Sequence, residues 1–120
     1  MTTLYGIKNC DTVKRARKWL EREKIDYQFH DIRSDGLTAS DIKSWLKVVP
    51  AEQLLNKRST TWKQLPEATK QSLEPSPIAA KLTPVLLEHP TLIKRPVLKL
   101  AKDNVAVGFS ADNYRAIFNS

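Results

Sequence analysis

The hydrophobic period changes twice within the first 32 residues, and that change restricts the topology more than any other feature of the chain. Thr3-Leu4-Tyr5 is a short apolar strand. Val13, Ala16 and Leu20, with Trp19 beside them, then recur at helical spacing, and charged residues fill the remaining face. Ile25 ends that helix, and Tyr27-Gln28-Phe29-His30-Asp31-Ile32 alternates large apolar with polar residues at a period of two. A strand, a crossover helix and a second strand make a right-handed βαβ unit with parallel strands.

The middle of the chain has a different character. Asp35-Gly36 is a turn, and Thr38 with Asp41 forms a capping-box start for a helix that buries Ile42, Trp45, Leu46 and Val49 and stops at Pro50. No strand is predicted from Ala51 to Pro90. Short helices are predicted over Glu52 to Leu55, Trp62 to Leu65 and Glu67 to Leu73. A last one is opened by Ser76 as N-cap with Pro77 at its first position. Its apolar stripe is Ile78, Leu82, Val85 and Leu86, and Pro84 within it predicts a kink or a division. Strands return at Val97–Leu100 and Val105–Gly108, joined by a Lys102-Asp103-Asn104 turn into a hairpin. Ser110 or Asp112 caps a closing helix bearing Ala111, Tyr114, Ile117 and Phe118. The expectation is an α/β fold: a four-stranded mixed sheet with flanking helices, formed by 1–33 and 90–120, with a helical lobe inserted at 34–89.

With 120 residues, 41% of them hydrophobic, the chain has enough apolar material for one domain core. It lacks the roughly 18-residue apolar run of a membrane span and the basic-then-apolar start of a signal peptide, so a cytoplasmic protein with no membrane partner is expected. A single cysteine cannot form an internal disulfide, and two histidines without a cysteine pair offer no zinc spacing. No metal or bound cofactor is expected. Only three glycines are present, so no phosphate-cradling loop is available. The formal charge of +7 raises the question of nucleic acid. Its densest patch, Lys14, Arg15, Arg17, Lys18, Arg22 and Lys24, is interrupted by Glu21 and Glu23, as on a solvated helix face. Direct nucleic-acid binding is not expected, since no helix-turn-helix or interleaved exposed aromatics accompany the charge. Trp19, Trp45 and Trp62 fall at core positions, and His30 and His89 read as structural.

Cys10 carries the chemistry. It sits where the first strand gives way, through Gly6-Ile7-Lys8-Asn9, to the helix. There the first-turn amides lack intrahelical partners and the macrodipole is positive, which favours a thiolate over a thiol. A free cysteine near pKa 8.5 is only about 3% ionised at neutral pH, and a depression of two units makes it roughly three-quarters ionised. Lys8 and Asn9 are placed to stabilise the thiolate or to shape its loop.

Three separated segments, Tyr5-Gly6-Ile7-Lys8-Asn9-Cys10-Asp11-Thr12-Val13-Lys14, Leu54-Leu55-Asn56-Lys57-Arg58 and Ile93-Lys94-Arg95-Pro96-Val97, occur in the order seen in the glutaredoxin-coupled arsenate reductase (ArsC) family. Across essentially its whole length the chain resembles that family, and within it the YffB subgroup, a relative of the Spx transcription regulators. The resemblance implies one ArsC-like domain over 1–120 with a thioredoxin-like fold, in which Pro96 is a cis-proline facing the thiol. It makes Cys10 the catalytic cysteine, and Arg58 and Arg95 the arginines that bind an oxyanion or glutathione beside it. The arsenate reductases proper carry a histidine at the position of Gly6 and a third arginine at that of Gly108, and Spx carries a second cysteine at that of Val13.

With no second cysteine, the resolving thiol must come from outside, and glutathione is the expected co-substrate, with glutaredoxin as a possible partner. The resemblance thus implies a thiol-dependent reductase acting on arsenate, a glutathione mixed disulfide or another oxidised sulfur species. The alternative it implies is an Spx-like regulator that binds RNA polymerase without catalysis.

Overall fold

Alternating burial along Thr3–Gly6 makes the first strand, β1, with Leu4 fully buried. The computed structural model describes residues 2–74, 77–101 and 104–119. They divide into two compact units, Met1–Asp35 with Arg95–Ser120, and Gly36–Lys94.

In the first unit β1 leads into helix α1 (Asp11–Arg22), then strand β2 (Gln28–Asp31). Val13, Ala16, Trp19 and Leu20 are the buried stripe of α1. The helix ends in a Schellman arrangement. Ile25 N–H donates to the Leu20 carbonyl and Lys24 N–H to that of Glu21, and Lys24 takes the left-handed conformation at φ 56°. Ile25 is therefore the apolar residue that closes the cap and packs on the core.

Strands β3 (Val97–Lys99) and β4 (Val105–Val107) and helix α7 (Ala111–Phe118), capped by the Ser110 hydroxyl, complete the unit. The sheet order is β2-β1-β3-β4: β1 is parallel to β2 and antiparallel to β3, and β4 is antiparallel to β3. The mixed four-stranded sheet is thus as expected; Lys102 and Asp103 of the predicted hairpin turn lie outside the described residues. Leu4 and Leu98 are register partners, and Ala16, Trp19, Leu20 and Tyr114 pack on them. The Tyr114 ring stands edge-on to Trp19 at 5.7 Å and to Phe109 at 4.8 Å.

The basic face of α1 is partly committed within the chain. Arg17 lies 4.1 Å over the Phe29 ring and its Nε donates to the Tyr27 hydroxyl, which donates to Glu21.

The second unit is helical: α2 (Ala39–Leu46), α3 (Ala51–Leu54), α4 (Thr60–Gln64), α5 (Glu67–Ser72) and α6 (Ala79–Glu88), then a 3-10 turn at Pro90–Leu92. Thr38 and Asp41 form the expected capping box. Ile42 and Trp45 are fully buried, Leu46 only in part, and Val49 is buried beyond the helix end.

Three expectations need correction here. Ile78 is the N-cap of α6 in extended conformation, so Pro77 is outside the helix, Ile78 is 58% exposed rather than part of the buried stripe, and Ser76 lies outside the described residues. Of the kink or division expected at Pro84, division does not occur: helix α6 runs unbroken past Pro84, which is exposed, while Leu82 and Leu86 on either side are fully buried. Residues 90–94 belong to the helical unit, not the sheet unit as the boundary at 90 required. The Lys94 N–H donates to the Leu54 carbonyl at 2.8 Å, Asn56 N–H to that of Leu92 at 2.7 Å, and Leu55 and Ile93 form an isolated bridge.

One contact sets the junction of β1 and α1. A Cβ on Gly6 meets the Val13 methyls at 2.7 and 2.9 Å, closer than carbon atoms approach. Val13 is fully buried and, as a β-branched helix residue, is held to one rotamer. Gly6→Ala is therefore expected to destabilise the protein by about 1–3 kcal/mol, read from the urea unfolding midpoint.

Candidate active site

The sheet topology brings four chain segments to one end. The carboxyl end of β1 continues into Ile7–Cys10, and that of the parallel strand β2 into residues 32–35. Strand β3 runs the other way, so Arg95 and Pro96 precede it at the same end. Gly108 follows β4 there and donates its N–H to the Pro96 carbonyl at 2.8 Å.

Cys10 is the N-cap of α1, half-buried, with φ −91° and ψ 123°. Its N–H donates to the Ile7 carbonyl at 3.1 Å and its carbonyl accepts from Lys14 at 2.9 Å, so turn and helix meet at this residue. The sulfur makes no capping hydrogen bond of standard geometry, yet it lies in the field of several donors. Burial pushes the thiol pKa up. The Val13 amide, the Arg95 guanidinium and the Thr12 amide pull it down by more, and the balance lies below the ordinary value. The arrangement chemically favours a nucleophilic sulfur anion next to a permanent cation.

Asp31 was not singled out from the sequence, where it reads as one polar residue of an alternating strand. It is a buried carboxylate, 5% exposed. Its Oδ1 accepts the N–H groups of Arg33 at 2.8 Å and Ser34 at 3.2 Å, and its Oδ2 that of Lys8 at 3.3 Å. Its own N–H donates to the Asp35 carboxylate at 2.9 Å. Burial raises its carboxyl pKa, but the amides of Arg33, Ser34 and Lys8 and the Lys8 charge outweigh that and hold it below the usual range. Asp31 therefore ties the end of β2 to the turn that presents Cys10. The available signal was an acidic residue ending the strand parallel to the one that leads into Cys10.

Of the other expected site residues, Lys8 and Asn9 are exposed on the turn, and Lys8 shapes it through its backbone N–H. Arg95 acts on Cys10 directly, and its peptide bond to Pro96 is cis, the isomer that the resemblance implies. Arg58 belongs to the helical unit, where it is exposed on the turn before α4 and its N–H donates to Asn56 Oδ1 at 3.1 Å. The sheet unit thus brings together Cys10, Lys8, Asn9, Arg95 and Pro96. His30 is paired with Tyr5 in the sheet, their rings 4.9 Å apart.

Two expected outcomes follow from these interactions. Iodoacetamide alkylation of Cys10 should reach half its maximal rate below the free-thiol pKa of about 8.5, and Arg95→Ala should move that midpoint up. Asp31→Asn should cost about 1–3 kcal/mol at neutral pH, because an amide nitrogen cannot accept the hydrogen bonds made to one carboxylate oxygen. The carboxyl pKa is lower folded than unfolded. Its stabilisation is thus complete above the unfolded value of about 3.9 and is lost as pH falls through the folded one. Urea midpoints of wild type and Asp31→Asn should therefore converge in acid.

A model of the ArsC family matches residues 5–117. An uncharacterized protein of Haemophilus influenzae is 44% identical over 118 residues, spanning 98% of this chain and 99% of its own. The solved structure of the YFFB (PA3664) protein superposes with a TM-score of 0.87 at 38% identity and covers 97% of both chains. Global transcriptional regulator Spx 2 of Bacillus anthracis is 28% identical over 118 residues, 96% of this chain and 85% of the regulator. The α/β fold read from the sequence accords with these likenesses, and with a family model matched from Tyr5 nearly to its last residue, this chain belongs to the ArsC family.

Proposed function

We propose that this ArsC-family protein is a thiol-dependent reductase that uses Cys10 as its nucleophile and glutathione as its resolving thiol. The observation that carries this reading is the Cys10 thiol at the N-terminus of α1, its pKa lowered by the Val13 amide and Arg95 against the effect of burial. On a glutathione mixed disulfide, the Cys10 thiolate attacks the glutathionyl sulfur, a Cys10–glutathione disulfide forms, and the substrate leaves as a thiolate. A glutathione or glutaredoxin thiolate then attacks the glutathionyl sulfur, forming oxidised glutathione or a glutaredoxin–glutathione disulfide and releasing the Cys10 thiolate.

Arg95 serves this chemistry twice, as the cation beside the sulfur and as a fork of donors for a carboxylate or oxyanion. The family resemblance assigns Arg58 as the second such fork. Pro96 bounds the site, and Lys8 and Asn9 form its turn. Gly6 and Gly108 count against arsenate as the main substrate. Both stand where the arsenate reductases carry polar site residues. Val13 fills the space at Gly6, and Gly108, at φ 82°, holds a backbone conformation that disfavours a side chain.

Intact-mass analysis after incubation with oxidised glutathione tests the reading. A single glutathionyl adduct is expected on wild type, none on Cys10→Ser, and slower formation on Arg58→Ala and Arg95→Ala. No adduct on wild type, together with alkylation that titrates like a free thiol, would sink it.

A regulatory role is the second reading, favoured by the match to a named transcriptional regulator over 96% of this chain. Under it the protein contacts RNA polymerase and Cys10 is dispensable. Retention of polymerase subunits by Cys10→Ser as well as wild type would support it.

A further inference from the structure

Among the described residues, the large apolar side chains that stand exposed are Val48, 46% accessible, and Ile78, 58% accessible. Each is the sequence neighbour of a residue that lines one groove of the helical unit. A groove of about 270 Å³ runs between α2 and α6, lined by Lys43, Leu46, Lys47, Ala79, Ala80 and Thr83. Val48 follows Lys47 where α2 ends, and Ile78 precedes Ala79 where α6 begins. The alanines leave space that a larger side chain would fill, while Leu46 and the aliphatic stems of the lysines supply apolar wall.

The groove's charge has one sign. Lys43 and Lys47 are four residues apart, on one side of α2. The ion pairs among the described residues, Arg22–Glu23, Lys57–Glu74 and Arg115–Asp112, involve neither. The first turn of α6 carries no acidic side chain. An apolar groove edged by unpaired cations is complementary to an apolar side chain flanked by carboxylates. A second copy of this chain fits poorly, because a two-fold contact sets the same lysines against each other on a molecule already at +7. Nucleic acid offers phosphate to the lysines but nothing to Val48 and Ile78.

We propose that the α2–α6 groove is a docking site for a partner protein, which inserts a short segment bearing one large apolar residue between aspartates or glutamates. The site is separate in chemistry from Cys10 and does not depend on its reactivity. Phage-displayed random peptides, selected on the full chain after depletion on Ala80→Trp, provide the test. The survivors are expected to carry Leu, Ile or Phe between Asp or Glu. A synthetic survivor should bind at least about tenfold more weakly to Ala80→Trp and to Lys43→Glu/Lys47→Glu, with Cys10 alkylation and far-UV circular dichroism unchanged. All three substitutions are at exposed positions, so loss of folding is separable from loss of binding. The proposal is overturned by an empty selection, by survivors without acidic residues, or by binding indifferent to these substitutions. A concentration-dependent dimer that Ile78→Asp dissolves would instead assign this face to self-association and also overturn it.

Discussion

The approach of β1 to the first turn of α1 is the constraint on which the site depends. The Val13 methyls occupy the space that any side chain at residue 6 would need, so strand end and helix start meet with no layer between them. That contact lets a four-residue turn, closed by the Cys10 N–H on the Ile7 carbonyl, place the thiol at the helix N-cap. A larger residue at position 6 would force the helix away from the strand, and the thiol with it.

The electrostatics of the site rest on two acidic groups whose ionised forms are favoured by backbone amides. Cys10 and Asp31 are each raised by burial and lowered by amides, and in both the amides and nearby cations prevail. The two are linked mechanically, since Asp31 accepts the N–H of Lys8 in the turn that ends at Cys10. One helix N-terminus and one strand end therefore cooperate through the backbone, where the identity of the intervening side chains matters little. Lys8 and Asn9 can be exposed without the turn losing its shape.

Much of this was legible in the sequence because it rests on local rules. The βαβ unit followed from two changes of hydrophobic period, the α2 start from Thr38 and Asp41, and the closing helix from Ser110. The errors fall where distant packing overrides a local signal. Pro84 predicted a kink or a division, and division does not occur, since fully buried Leu82 and Leu86 flank it in one continuous helix. Ile78 matched an apolar stripe by spacing, but an extended backbone removes it from the helix and leaves it exposed beside the α2–α6 groove. The boundary at residue 90 puts 90–94 with the sheet unit, but hydrogen bonds with Leu54 and Asn56 place them with the helices. Asp31 went unnoticed because its partners, the amides of Lys8, Arg33 and Ser34, are backbone groups that a pattern of side chains does not display.

The sequence by itself determined that it holds one thiol, that the thiol begins a helix, and that no second cysteine within it can pair with the first. Those are matters of composition and short-range spacing. Only the tertiary structure decided what surrounds the sulfur. An antiparallel β3 delivers Arg95 to the end of the sheet where the parallel pair β1 and β2 delivers Cys10 and Asp31. Strand direction and pairing order are long-range choices, made by the burial of Leu4, Leu98, Leu20 and Tyr114 in one core. They add, to the Val13 and Thr12 amides that the helix start itself supplies, a cation 85 residues along the chain that lowers the Cys10 pKa further.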